Sequence, residues 1–127
     1  MENNIKYKEY SPLVLAYMGD AVFEILVRKY IVSFGNAPVN ELNKKARLIV
    51  NAGNQAKLYL LLEEYLTEEE MAVMKRGRNA KSFTKAKNQS VTDYRHATGV
   101  EALFGYLYLK GDIDRINELF HICIKGD

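Results

Sequence analysis

Two carboxylates in this chain stand where a carboxylate is costly. Asp20 lies in the middle of the apolar run from Leu13 to Ile31, and Glu101 lies in the middle of a second apolar stretch ending at Leu107. An acid taken out of water costs several kcal/mol unless it is paired, hydrogen-bonded or bound to a metal. Paired acids support more than one chemistry. A glycosidase pair works with one acid protonated and one ionised, but it needs a cleft of stacking aromatics, and this chain has no tryptophan. Two carboxylates also suit a hard cation such as Mg²⁺, which takes one or two of them and keeps several waters. Bound there, such an ion serves phosphodiester hydrolysis. A zinc site is not expected. His96, His121 and Cys123 lack ligand spacing, and His121 and Cys123 fall on opposite faces of one helix. The same shortage argues against a cysteine nucleophile, and both histidines read as ordinary surface or boundary residues.

The elements that must position these acids are helices. Ser11-Pro12 is a good start, with serine at N-cap and proline at N1. The first helix is predicted from about Pro12 to Ser33, with Gly35 placed to stop it. It shows no wet face, so it reads as a central, buried helix. Asp20, Glu24 and Arg28 form a narrow polar stripe along it, and Glu24–Arg28 reads as an i,i+4 ion pair. A second helix spans about Asn40 to Val50, with Leu42, Ala46 and Val50 at helical spacing and Lys44, Lys45 and Arg47 on a solvated face. A third runs from about Ala52 to Tyr65. Thr67 opens a T-x-x-E capping box and a short helix from Glu68 to Lys75. Ser90 caps a long helix ending before Gly111, and residues 113–124 form a last amphipathic one. The expected fold class is therefore all-α.

Around Glu101, the same-face neighbours Ala97, Thr98 and Gly105 are all small. Asp20 has Ala16 at i−4 and Gly19 beside it. A helical glycine costs about 1 kcal/mol relative to alanine, so Gly19 and Gly105, each near an acid, suggest a close helix crossing at which the carboxylates meet.

Between the helices, residues 75–89 read KRGRNAKSFTKAKNQ, with six basic residues in fifteen. The stretch lacks apolar periodicity and is expected to be a long loop, of the kind that is usually functional or disordered. Its candidate nucleic-acid contacts are Lys75, Arg76, Arg78, Asn79, Lys81, Lys85 and Lys87, with Ser82 and Thr84 able to add hydrogen bonds to phosphate or sugar. Gly77 belongs to no phosphate-cradling motif.

The bulk properties fit one compact domain spanning residues 1–127. The chain is 48% hydrophobic with a net charge of only +2, so it is the local clustering of charge that hints at a polyanionic partner. The single Cys123 excludes an intrachain disulfide and fits a reducing cytoplasm. The polar start MENNIKYKEY is no signal peptide. No charge-free apolar run reaches the ~20 residues of a membrane span, so a soluble cytoplasmic protein is expected.

At these residues the chain resembles a known family. Leu15-Ala16-Tyr17-Met18-Gly19-Asp20-Ala21-Val22 looks like the signature helix of the ribonuclease III catalytic domain, E-F-L-G-D-A-V. Val100-Glu101-Ala102-Leu103-Phe104-Gly105 resembles its second acidic motif, D-x-x-E-A-x-x-G. Together with the segments Lys75–Lys81 and Tyr94–Leu107, these are similar to the hallmarks of the mini-ribonuclease III family, short bacterial enzymes made of this catalytic domain alone. The resemblance implies a ribonuclease III-like helical bundle and an Mg²⁺-dependent endoribonuclease for double-stranded RNA. It also implies a homodimer with an acidic site near each end of one valley, and a role in maturing the large-subunit (23S) ribosomal RNA precursor. A ribosomal protein on the substrate is a further candidate partner. Asp20 and Glu101 match the catalytic and metal-binding acids.

The sequence departs from full-length ribonuclease III at Ala16 and Thr98, where the longer enzymes carry a glutamate and an aspartate. Water is expected to complete the metal shell there. No appended double-stranded RNA-binding domain is expected either, which gives the 75–87 segment more weight in affinity. The competing reading is a catalytically silent helical domain that binds structured ribosomal RNA and keeps its acids as core ion pairs.

Overall fold

The computed structural model describes residues 9–81 and 90–126. Six helices account for nearly all of them: α1 (Pro12–Val32), α2 (Val39–Ile49), α3 (Ala52–Leu62), α4 (Glu68–Asn79), α5 (Val91–Lys110) and α6 (Ile113–Lys125). No strand occurs among the described residues.

Most helix starts are set by side-chain caps, those at Ser11, Thr67 and Ser90 as the sequence predicts. Ser11 accepts a hydrogen bond from the Val14 N–H, and Pro12 occupies the first turn of α1. Asn51 accepts from Asn54 N–H ahead of α3, and Ser90 from Asp93 N–H ahead of α5. Thr67 and Glu70 close a reciprocal capping box on α4. Each such side chain satisfies an amide that the first helical turn leaves without a partner. Gly111 ends α5 in the left-handed region at φ +85°, which turns the chain directly into α6.

Helix α5 is the axis of the bundle, packed against α1, α3 and α4. From Ala97 to Leu107 every residue except Glu101 is buried. Phe23 of α1 meets Phe104 of α5 edge-on at 5.4 Å and Phe120 of α6 at 5.9 Å. Burying each of these rings contributes about 1.5–3 kcal/mol. Helix α6 is fastened to α4 by Arg115, which donates to both oxygens of buried Glu70 (2.9 and 2.8 Å) and to the Tyr65 carbonyl at 2.7 Å. Burial pushes the Glu70 carboxyl up, but the hydrogen bonds from Arg115 and Thr67 outweigh it and hold the acid below its ordinary range.

Two expectations need correction. The first concerns α1, which is not enclosed. One face is buried through Leu15, Ala16, Gly19, Val22, Phe23, Val27 and Ile31. The other leaves Leu13, Val14, Tyr17, Ile25 and Val32 exposed, Tyr17 at 79%. Hydropathy alone does not distinguish a core helix from one whose outer face is apolar but uncovered in a single chain.

The second concerns α4, which does not end at Lys75. It runs on through Lys75, Arg76, Gly77 and Arg78 to Asn79. Its buried stripe is Val73, Met74 and Gly77. A Cβ on Gly77 would lie 2.7 Å from the Ala102 Cβ and 2.9 Å from the Gly99 Cα. That glycine is a packing contact, not a loop residue.

Candidate active site

The site is made where α1 crosses α5. A Cβ added to Gly19 would fall 1.5 Å from the Glu101 carbonyl oxygen, and one added to Gly105 would fall 1.9 Å from the Leu15 carbonyl oxygen. The two backbones are therefore in direct contact, which only glycine on both sides permits. Asp20 follows Gly19 on the exposed edge of this crossing. Its carboxylate faces Glu101 closely enough to interact both as a charge and by hydrogen bonding. The expectation that the acids meet at a small-residue crossing is met. The expectation that Asp20 is buried is not: Asp20 is exposed, Glu101 only partly so, and the pair forms a half-open site at the rim of the uncovered α1 face. Glu24 is spent elsewhere, accepting from Arg28 Nε at 3.0 Å.

Burial raises the Glu101 carboxyl to about 8, and the neighbouring Asp20 charge and hydrogen bond push the same way. The Gln55 amide on α3 acts in the opposite direction. In the metal-free protein Glu101 thus holds its proton near neutral pH. The folded chain binds a proton that the unfolded chain has released over the window from about 4.5 to about 8. Stability from this group is fully present below that window and is lost as pH rises through it. Thermal denaturation in EDTA is therefore expected to show the wild type losing stability between pH 5 and pH 8.5, relative to a flatter Glu101→Gln variant. Parallel curves would contradict the coupling.

The donor set fits a hard divalent cation. Two carboxylates converge, and the described residues contain no cluster of three or more His, Cys, Asp or Glu that would strip an ion of its water. Mg²⁺ tolerates such a sparse shell because it dehydrates reluctantly. Asp20 and Glu101 would hold it, and when bound it supplies a water nucleophile and charge neutralisation at a phosphodiester. Ala16 and Thr98 offer nothing further. Ala16 is buried in the core, and Thr98 Oγ1 donates back to the Tyr94 carbonyl at 2.9 Å.

Four basic candidates and Asn79 lie on the last turns of α4 or just beyond its end. Lys75, Arg76, Asn79 and Lys81 are exposed and Arg78 is half-buried. The Gly77 contact with Gly99 and Ala102 places the end of α4 within a turn of Glu101. Arg78 lies 5.7 Å from the Tyr59 ring centre and donates to Asn79 Oδ1. Lys85 and Lys87, with Ser82 and Thr84, lie outside the described residues. His96 is a boundary residue, edge-on to Tyr59 at 4.6 Å, and Cys123 is partly buried.

One residue at this site escapes the sequence reading. Gln55 is only 4% exposed and turns toward Glu101. It belongs to the α3 stripe Ala52, Gln55, Ala56, Tyr59 and Leu62, all buried. A lone polar residue on an otherwise inward-facing 3.6-residue stripe is the signal that could have marked it.

The model of the Ribonuclease III domain matches residues 13–112, the stretch of this all-helical bundle that holds the glycine crossing and its Asp–Glu pair. The chain is 51% identical to a mini-ribonuclease 3 of Enterococcus faecalis, over 94% of this chain and 92% of that one. It is 45% identical to the Staphylococcus aureus mini-ribonuclease 3, over 97% and 92%. A crystal structure of a Fusobacterium nucleatum protein superimposes with a TM-score of 0.85 at 36% identity, covering 93% of this chain and 96% of that one. The chain belongs to the mini-ribonuclease III family and is an endoribonuclease of the ribonuclease III type. No helix of the described residues is long and apolar enough to cross a membrane.

Proposed function

We propose that this protein is a Mg²⁺-dependent endonuclease that cuts double-stranded RNA at the Asp20–Glu101 pair, and that its natural substrate is the 23S ribosomal RNA precursor. The observation that carries the reading is the meeting of these two acids at the α1–α5 crossing in a chain of this family. A solvent-open acid pair can receive a phosphodiester, whereas acids kept only as core ion pairs would be enclosed with basic partners. Among the described residues, the ion pairs of Arg28, Lys110 and Arg115 are made with other acids than Asp20 and Glu101.

Lys75, Arg76, Arg78, Asn79 and Lys81, beside the site, together with Lys85 and Lys87, are proposed to hold the RNA backbone. Duplex RNA is read chiefly by shape, phosphate and 2′-hydroxyl contacts. Neutralising Arg76, Arg78, Lys81 and Lys85 is expected to weaken duplex binding and to lower the slope of log affinity against log salt by up to ~0.9 per lost phosphate contact. An unchanged slope would reduce this stretch to solvated surface.

The uncovered apolar face of α1 supports assembly as a homodimer. Exposed Leu13, Tyr17, Ile25 and Val32 make a patch of the kind that marks a protein interface, and Asp20 lies at its edge. The substrate assignment is tested in cells. Loss of the protein is expected to leave 23S ribosomal RNA with extended ends, restored by the wild type and not by Asp20→Asn. Mature ends without the protein would exclude that substrate.

A further inference from the structure

We propose that Gln55 is a positioning residue of the cleavage site, its side-chain amide N–H donating to the Glu101 carboxylate and fixing its orientation beside Asp20. The inference rests on the reading of Asp20 and Glu101 as the cleavage site. Gln55 is almost wholly buried, and its Nε2 makes no hydrogen bond of regular geometry among the described residues. Buried side-chain amides are nearly always satisfied, so an open donor here calls for a state of the protein in which it is used.

The neighbourhood supplies one such use. The Glu101 carboxyl is the acceptor that faces the Gln55 side chain, from the helix α5 against which α3 packs. Ala52 and Ala56 flank it on the same buried stripe of α3 and offer no hydrogen-bonding side chain. The other buried polar atom without a partner is the Tyr59 hydroxyl, one turn further along α3. Its ring packs against Gly99 and His96 and beneath Arg78, on the basic side of the site. Gln55 therefore stands behind Glu101 while Asp20 stands on the solvent side. Carboxylates that hold a metal are commonly themselves held by a hydrogen-bond donor, and removing that donor costs about 10–100-fold in metal affinity or activity.

The test uses the full chain with Gln55→Met, which keeps length and volume without the donor, and Gln55→Leu as a second apolar variant. Mn²⁺ binding is measured on RNA-free protein by electron paramagnetic resonance. Duplex RNA cleavage is resolved into kcat and KM, and Tm is recorded in EDTA. Expected are a Tm equal to or above wild type, an unchanged KM, and kcat and Mn²⁺ affinity each about 10–100-fold lower.

Wild-type kcat and Mn²⁺ affinity in both variants would overturn the proposal. So would a fall in Tm that accounts for all the lost activity while Mn²⁺ affinity per folded molecule is unchanged. A Gln55→Glu variant that binds Mn²⁺ more tightly and cuts at the wild-type rate would also overturn it, since the side-chain oxygen would then be the working atom. If the wild type itself failed to cut, the site reading would fall and the inference with it. If the wild type and Gln55→Met cut equally, the inference alone would fall.

Discussion

Replacing Asp20 by Asn, or Glu101 by Gln, is expected to lower the rate of duplex RNA cleavage by roughly 10³-fold or more, equivalent to about 4 kcal/mol of transition-state stabilisation. Each change removes one of the two carboxylates, among the described residues, that are proposed to hold a cation at the α1–α5 crossing. RNA affinity should hold, because binding to a polyanion rests on the basic residues; losing a negative charge can only help it. Stability should hold as well. Asp20 is exposed, where substitutions usually change stability by no more than ~0.5 kcal/mol. Glutamine at 101 resembles the protonated acid that burial already favours. Glu24→Gln is the matched control. It lies on the same stripe of α1, but its charge is committed to Arg28 at 3.0 Å, so cleavage should continue at close to the wild-type rate. Single-turnover assays with duplex RNA in excess Mg²⁺, beside filter-binding and thermal melts, would separate these effects. Wild-type rates in both acid variants would remove the pair from the chemistry.

The second large effect is structural. Gly19→Ala is expected to destabilise the protein by roughly 3 kcal/mol or more, at or beyond the upper end of ordinary overpacking. The added methyl would sit 1.5 Å from a main-chain oxygen and 2.4 Å from its carbon, and neither can swing aside as a side chain would. The helices must part, which opens the core around Phe23 and Phe104 and pulls Asp20 from Glu101. A mesophilic domain is stable by only about 5–15 kcal/mol, so a fall in Tm of roughly 10 °C or more is expected. Gly105→Ala, facing Leu15 at 1.9 Å, should behave alike. Gly53→Ala is the contrast. Its nearest neighbour would be Asn51 Oδ1 at 3.5 Å, an ordinary contact, and alanine suits a helix better by up to about 1 kcal/mol. Denaturant melts of the three variants would check the ranking. A Gly19→Ala protein as stable as Gly53→Ala would mean that the crossing is not as close as described.

Much of this was legible in the residues. Caps are local chemistry, and Ser11, Thr67 and Ser90 act as their types and spacing predict. The crossing was legible because a glycine beside an acid in each of two apolar helices is costly twice over unless the helices touch there. What was not legible depends on what lies outside a segment. An apolar α1 predicts cover, but not whether the cover is its own core or another surface, so the pattern puts Asp20 inside while the structure puts it at an edge. The extension of α4 was hidden because Gly77 packs through the absence of a side chain, which no hydropathy pattern records. Gln55 was hidden because its significance is a tertiary neighbour, Glu101, on a different helix.

The Asp20–Glu101 site is tested most directly by cleavage of a long RNA duplex and of its separated strands by the wild-type protein, in EDTA and after Mg²⁺ is restored, with analysis of the new ends. Internal cuts are expected in the duplex only with Mg²⁺, leaving 5′-phosphate and 3′-hydroxyl ends, the products of water attacking phosphorus as the 3′-oxygen departs. Cutting that persists in EDTA, cyclic phosphate ends, or a duplex left intact at every Mg²⁺ concentration would contradict a divalent-cation site at Asp20 and Glu101.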